Sequence, residues 1–250
     1  MVAPLDPSRP DRAAGGGPGG EWRARVQLSV PDLAWEFLRR NSDYRVEFQK
    51  VARDPAIIDP RWGLRFGADP SLEAPGAPVF WRSDAAPALV VPFVEDRRPS
   101  LHEARSWQPR GDTRLAEEGL HVRLPEGLQL QYLGDAKPGG PLLVMLAFDG
   151  DFGLRVRAVE RFNRAVAGLA APASRLTRAQ RERLAKSLVA LDGFLGGDSY
   201  RAIATMIFGR EAVEREVWRI SSVRAVTIRL VDAGRRLMAG GYLKLLKEGL

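Results

Sequence analysis

Residues 119–133 read Gly119-Leu-His-Val-Arg-Leu124, Pro125-Glu126-Gly127, Leu128-Gln-Leu-Gln-Tyr-Leu133, and residues 152–169 read Phe152-Gly-Leu-Arg-Val-Arg-Ala-Val-Glu-Arg-Phe-Asn-Arg-Ala-Val-Ala-Gly-Leu169. In the first stretch apolar and polar residues alternate, the pattern of half-buried strands joined by a Pro/Gly turn. In the second the apolar period lengthens to about 3.6, the pattern of an amphipathic helix. The switch falls at Asp149-Gly150-Asp151, after a Gly139-Gly140 turn and a continuous apolar run over 141–148. Strands before that point and helices after it predict an α+β fold, with a small antiparallel three-stranded meander over 119–148 leading into a helical region over 152–250.

Downstream, Thr177 with Gln180 has the spacing of a capping box and predicts a helix to about residue 194. Gly196-Gly197 ends it, Asp198 or Ser199 caps the next helix through Phe208, and Gly209 supplies a left-handed stop. Ser221 or Ser222 then caps a long helix to about Met238, and Gly240-Gly241 precedes a short amphipathic end over 242–247. Upstream, residues 31–53 predict a hairpin of two short helices. Leu33, Trp35, Phe37 and Leu38 serve the first, Tyr44, Phe48 and Val51 the second, with Asn41-Ser42 between them. Residues 54–95 are rich in Pro, Gly and aromatics, with only Val90 to Phe93 hinting at a strand. Residues 96–118 read as a linker. The glycine run 15–20 reads as part of a flexible tail over 1–20 that buries too little to offset its ordering entropy. Gly15, Gly17 and Gly20 match GxGxxG, but no strand precedes them, so they predict no dinucleotide site.

The chain has 250 residues, 45% of them hydrophobic and 28% charged, with a formal charge of +7. No apolar stretch reaches the roughly 20 residues of a membrane span, and the N-terminus lacks the apolar segment of a secretory signal, so a cytoplasmic protein is expected. The absence of cysteine excludes disulfides, thiolate metal sites and cysteine nucleophiles. Residues 175–250 carry 15 Lys/Arg against 8 Asp/Glu, while the first 174 residues balance. The whole positive excess is therefore C-terminal, as expected where phosphates are neutralised.

Signatures of catalysis are missing. His102 and His121, the two histidines, lie apart from any carboxylate cluster, so neither metal nor cofactor is expected. Asp149 and Asp151 fit a turn and a helix cap rather than acid/base work. Asp135-Ala136-Lys137 has the acid-x-Lys spacing of some metal-dependent nucleases but lies in a Gly/Pro turn without a third carboxylate. Neither a GxSxG elbow nor a GxxxxGK[ST] loop is present.

The basic helices offer a different chemistry. A helix, a glycine stop, a connector and a serine-capped helix over 198–237 have the order of a helix-turn-helix derivative, although the connector 209–220 is longer than a tight turn. On the long helix Val223, Val226, Leu230, Ala233 and Leu237 form one stripe. The opposite face carries Ser221, Arg224, Ile228, Asp232 and Arg235, flanked by Arg229 and Arg236. Exposed guanidinium groups pair with phosphate or bidentately with guanine, and Ser221 and Ser222 offer donors at the helix N-terminus. Arg219, Ser221, Ser222, Arg224, Arg229, Arg235 and Arg236 are the expected DNA contacts, with Arg210 and Arg215 of the connector as the reserve.

Leu188-Val-Ala-Leu-Asp-Gly-Phe-Leu-Gly-Gly-Asp-Ser-Tyr-Arg-Ala-Ile-Ala204, Ile207-Phe-Gly209, Trp218, Ser221-Ser222-Val223-Arg224 and Leu237-Met-Ala-Gly-Gly-Tyr-Leu-Lys-Leu-Leu246 together resemble the RovC-type transcription-factor DNA-binding domain of bacteria, over residues 119–250. Asp32-Leu-Ala-Trp-Glu-Phe-Leu-Arg-Arg-Asn41, Asp43-Tyr44-Arg45, Trp62-Gly-Leu-Arg-Phe66 and Ala77-Pro-Val-Phe-Trp81 resemble the transcriptional-regulator-like module that precedes it, placing that module at 21–95. The resemblance implies a sequence-specific regulator, an activator of mobile-element transfer or secretion genes, and no catalytic residues. Promoter DNA, further copies of the chain and RNA polymerase are the expected partners. A protein-interaction adaptor or antiactivator using the same basic helices is the alternative reading, and a nuclease built on Asp135 and Lys137 the third.

Overall fold

A computed structural model describes residues 20–51, 58–97, 107–170 and 175–248. In chain order these form α1 (Gly20–Arg25), α2 (Val30–Leu38), α3 (Ser42–Val51), a 3-10 turn (Pro60–Trp62), β1 (Val90–Glu95), β2 (Asp112–Ala116), β3 (Gly119–Arg123), β4 (Gln129–Leu133), β5 (Leu142–Val144), α4 (Phe152–Val166), α5 (Arg178–Leu195), α6 (Tyr200–Phe208), α7 (Arg210–Glu214), a 3-10 turn (Trp218–Ile220), α8 (Ser222–Arg236), an irregular turn (Leu237–Gly241) and α9 (Tyr242–Glu248). The tail expected at 1–20 and His102 lie outside the described residues, apart from Gly20, which opens α1. The fold is α+β, with N-terminal helices, a mixed five-stranded sheet and a mainly helical C-terminal region. Two compact units divide the chain: residues 20–28 with Arg178–Arg236, and Ser29–Thr177 with Leu237–Leu250.

In the second of these units the expected helical hairpin is α2 and α3. Ser29 caps α2 by accepting from the Asp32 amide, and Asn41 Oδ1 accepts from the amides of Asp43 (2.9 Å) and Tyr44 (3.2 Å) to start α3. Leu33, Trp35, Phe37, Leu38 and Tyr44 are fully buried, each contributing roughly 1.5–3 kcal/mol on removal from water. Their polar tips anchor the Pro-rich segment: Trp35 Nε1 donates to Leu72 O (3.0 Å) and Tyr44 Oη to Ala68 O (2.6 Å). Glu36 is buried too. Burial pushes its carboxyl up, but Arg40, Arg39 and the Ala74 amide outweigh that and hold it below the usual carboxylate range. α9 packs on α2, and Tyr242 Oη donates to Trp62 O (3.0 Å).

The sheet runs β2-β3-β4-β1-β5. Here the expected meander is corrected. β3 and β4 pair antiparallel as read, but β1 joins β4 in parallel, and β5 pairs with β1 rather than with β4. Only Leu142–Val144 of the apolar run 141–148 is a strand, and β2 lies inside the residues read as a linker. Pro92 argues against a central place for β1, since proline cannot donate to a ladder. β5 asks only for the Pro92 carbonyl, which accepts from the Met145 amide (2.9 Å). Val91, Phe93, Val122, Leu124, Leu128, Leu130 and Tyr132 form the core of this sheet, closed by Ala158 and Phe162 of α4.

The other unit is helical. Val189 and Ala190 of α5, Ile203 and Ile207 of α6, and Leu230 and Val231 of α8 make its core, with Trp22 of α1 against it. Trp22 Nε1 donates to Ile207 O (3.2 Å), and Arg25 pairs with Asp192 (2.8 Å). Ser199 caps α6 as expected, its Oγ accepting from the Ala202 amide (3.2 Å). Gly209, at φ 87°, ends α6 but opens no loop: α7 and a 3-10 turn fill the connector 209–220.

Candidate nucleic-acid interface

α8 lies against α5 and α6. Its buried line runs through Thr227, Leu230, Val231 and Gly234, whereas the apolar stripe expected from the sequence runs through Val223, Val226, Leu230, Ala233 and Leu237. At about 100° per residue the helix is turned by roughly two-thirds of one residue step from the expected orientation. Two residues not counted as apolar cause the difference. Thr227 is buried because its Oγ1 donates to Val223 O (2.8 Å), which leaves only its methyl to the core. Gly234 lets α5 come so close that a Cβ there would stand 2.7 Å from Ser187 O and 3.0 Å from Leu191 Cβ.

The turn changes which arginines face outward most directly. Arg229 and Arg236, seven residues apart, stand opposite the buried line, and Arg224 and Arg235 sit at its borders. All four are exposed, as is Arg219 in the preceding 3-10 turn. The Arg235 guanidinium lies 5.1 Å over the Phe194 ring, and Arg229 Nε donates to Ala225 O of its own helix (3.3 Å). Among the described residues none of these five arginines pairs with a carboxylate. Some cations of the same unit are neutralised locally: Arg215 by Glu211 (2.7 Å), Arg178 by Glu182 (3.1 Å) and Arg25 by Asp192. Arg183, Arg201 and Arg210 of the same unit are likewise exposed without a carboxylate partner among the described residues, but α8 and the turn that leads into it bring five such arginines onto one helix and its lead-in.

The helix N-terminus is already spent. Ser222 donates its amide to Glu216 Oε2 (2.9 Å), while Ser221, itself buried, accepts from the Arg224 amide (3.1 Å) and donates to Trp218 O (3.3 Å). Ser221 thus caps α8, and Glu216 holds the Ser222 amide, one of the donors expected to face a phosphate. Sequence reasoning also missed Val217 and Ile220. They are 69% and 85% exposed, directly ahead of α8 and on either side of Arg219. Their signal is an apolar pair inside a charged connector.

The carboxylates considered for catalysis have ordinary partners. Asp149 pairs with Arg155 (2.8 Å), whose hydrogen bond lowers its pKa, Asp151 pairs with Lys247 (2.6 Å), and Asp135 with Arg97 (2.9 Å). His121 is buried against Phe66 (5.1 Å between ring centroids), and its Nε2 lies 2.9 Å from Glu118 Oε1. Burial holds the His121 pKa below the usual histidine value. Among the described residues no three His, Cys, Asp or Glu side chains converge to hold a metal ion, and no helix is long and apolar enough to cross a membrane.

Comparison with known proteins adds to this geometry. Residues 145–247, from just after β5 into α9, match the family described as the T6SS transcription factor, DNA-binding domain (RovC). Residues 22–67 match the proteobacterial transcriptional regulator-like domain. The search of curated proteins returned no match. Over residues 145–247 the chain is therefore similar to a RovC-type transcription-factor DNA-binding domain, and over residues 22–67 to a proteobacterial transcriptional regulator-like domain.

Proposed function

We propose that this protein is a sequence-specific regulator that binds promoter duplex through the outward face of α8 and the turn before it, and that activates transcription. The observation carrying this reading is the set of five exposed arginines, Arg219, Arg224, Arg229, Arg235 and Arg236, without carboxylate partners on one helix and its lead-in. Arg229 and Arg236 are central and reach bases or phosphates along one groove. Arg219, Arg224 and Arg235 hold the flanking backbone. Ile220 and Val217 present apolar tips that suit thymine methyl groups, the one apolar feature of the major groove. Ser221 caps α8, and Ser222 is held by Glu216. The domain at 119–250 does this work, the module at 21–95 serves regulation, and further copies of the chain read repeated half-sites. The protein acts at the nucleoid, in the cytoplasm, recruiting RNA polymerase to secretion or mobile-element genes, and it catalyses no reaction.

Titrating a promoter fragment and a scrambled duplex at several salt concentrations tests the reading. Arg229→Ala and Arg236→Ala should each weaken binding about tenfold, and a side chain that neutralises a phosphate should, once truncated, flatten the salt slope by about 0.9. Truncating a side chain that reads guanine should instead erase discrimination at one base pair, by roughly 1–3 kcal/mol. Unchanged DNA affinity in a folded double variant would move the interface off α8. Absence of any shift, together with capture of an acidic protein by the same face, would establish the adaptor reading.

A further inference from the structure

The β3–β4 turn, the lead into β2 and the Arg161–Ala165 side of α4 line an open cavity of about 480 Å3 within the second unit. That volume lies in the range of small-molecule sites, roughly 300–1,000 Å3. Its floor is apolar: Leu124 and Leu128 are 2% and 1% exposed. Trp107 forms one wall, held edge-on against Phe162 at 5.3 Å. Arg161 of α4 enters from the other side, and Arg110 and Glu126 stand at the mouth.

Arg161 is the unusual group. Its Nε is buried and has no hydrogen-bond partner, and among the described residues Arg161 forms no ion pair. Of the other arginines of this helix, Arg155 is satisfied by Asp149 and Ser83 O (3.1 Å) and Arg164 by Ala170 O (2.8 Å), whereas Arg157 also keeps a buried nitrogen, Nη1, without a partner but does not line the cavity. Burial lowers the Arg161 pKa, and the charge of Glu126 opposes that effect without reaching pairing distance. A buried guanidinium donor left unpaired costs free energy that an incoming anion would recover. The charged lining is Arg161, Arg110 and Glu126, a net of one positive charge, so a singly charged anion fits and a dianion meets Glu126. Carboxylate matches the planar guanidinium edge, and Trp107 with the leucine floor matches a flat apolar body.

We infer that this cavity is a binding site for a small aromatic or apolar monocarboxylate, anchored by Arg161, with Arg110 as the outer contact and Trp107 against the ring. This inference does not rest on DNA binding by α8. The test uses the full chain with salicylate, benzoate and indole-3-acetate as probes and salicylamide as the uncharged isostere, read by calorimetry and thermal unfolding. At least one acid should bind saturably and raise Tm, and salicylamide should bind about tenfold or more weaker than salicylate. Arg161→Met should cut acid binding by about tenfold or more while leaving the Tm of the unliganded protein unchanged or raised, because it removes a buried unpaired donor. Glu126→Gln should leave acid binding intact or tighter. A fall of several degrees in the unliganded Arg161→Met protein would make Arg161 a structural residue and overturn the proposal. So would equal binding of acid and amide, or no saturable binding of any acid up to about 10 mM.

Discussion

α4 and α8 are each 15 residues long and each carries four arginines, yet they use them in opposite ways. α4 buries one arginine and half-buries the other three. Arg155 is buried on Asp149 and a backbone carbonyl, Arg161 lines the cavity, and Arg157 and Arg161 keep buried nitrogen atoms without partners. α8 turns Arg224, Arg229, Arg235 and Arg236 outward, away from any carboxylate, and buries Thr227, Leu230, Val231 and Gly234. The difference comes from the neighbours. α4 lies on a sheet, where long amphipathic side chains fill space; Arg155 and Arg164 find partners there, and Arg157 and Arg161 leave nitrogen atoms unpaired. α8 lies on α5, whose contact surface of Ala190, Leu191 and the Ser187 backbone has no room for a guanidinium. An arginine-rich amphipathic helix is therefore no evidence of nucleic-acid binding by itself; the orientation decides.

The strongest test of the contrast is Gly234→Ala. Its Cβ would meet the Ser187 carbonyl of α5 at 2.7 Å, so α8 must shift to admit it. Overpacking of this kind costs about 1–3 kcal/mol, and the expected result is a lower Tm with loss of DNA binding at positions the substitution does not touch. Retained stability would show that the α5–α8 approach is loose and that α8 is not held in one orientation. A smaller effect is expected from paired truncations. Arg155→Ala, which removes an ion pair and leaves Ser83 O without its donor, should destabilise by about 1–3 kcal/mol, whereas Arg229→Ala should stay within about 0.5 kcal/mol, as exposed substitutions do. Similar melting shifts for the two would erase the inward–outward distinction.

Acid sharpens the contrast further, with the smallest effect near neutrality. Hydrogen bonds from Arg65, foremost, hold the Glu118 pKa down to about 2, from a normal 4.5. Its stabilising contribution is complete above about pH 4.5 and is lost as pH falls through the folded value. His121, kept neutral by burial, adds to the loss as pH drops below its usual 6.5, because the unfolded chain then binds the proton more readily. In the α5–α8 unit the shifted groups among the described residues are Glu211 and Arg215, an exposed pair of little energetic weight. Hydrogen exchange resolved by segment from pH 7 to about pH 2 should show protection falling first around β3 and the Arg65–Phe66 segment, and later in α5. Earlier loss in α5 would contradict the assignment.

Much of this protein was legible in the residues alone. The hairpin at Asn41, the strands on either side of Pro125-Glu126-Gly127, the caps at Ser199 and Ser221 and the long arginine-bearing helix rest on local chemistry. Capping, turn preference and hydrophobic period act over a few residues and do not wait for the rest of the chain. The C-terminal charge excess is equally a property of composition. What needed the tertiary structure was non-local. Pro92 sits in a central strand because β4 and β5 arrive from well downstream in the chain to pair with β1. β2, polar and short, becomes a strand only because β3 offers it an edge. The rotation of α8, which puts Arg229 and Arg236 rather than Arg224 and Arg235 at the centre of its outer face, depends on a glycine and a threonine whose burial no hydropathy pattern announces. Glu216 closes the helix N-terminus that the serines alone left open, and Arg161 meets its cavity only once sheet and helix are packed. Periodicity fixes what a segment can become; which of its faces is buried depends on the shape of the surface it meets, and that surface is made by residues far away in the chain.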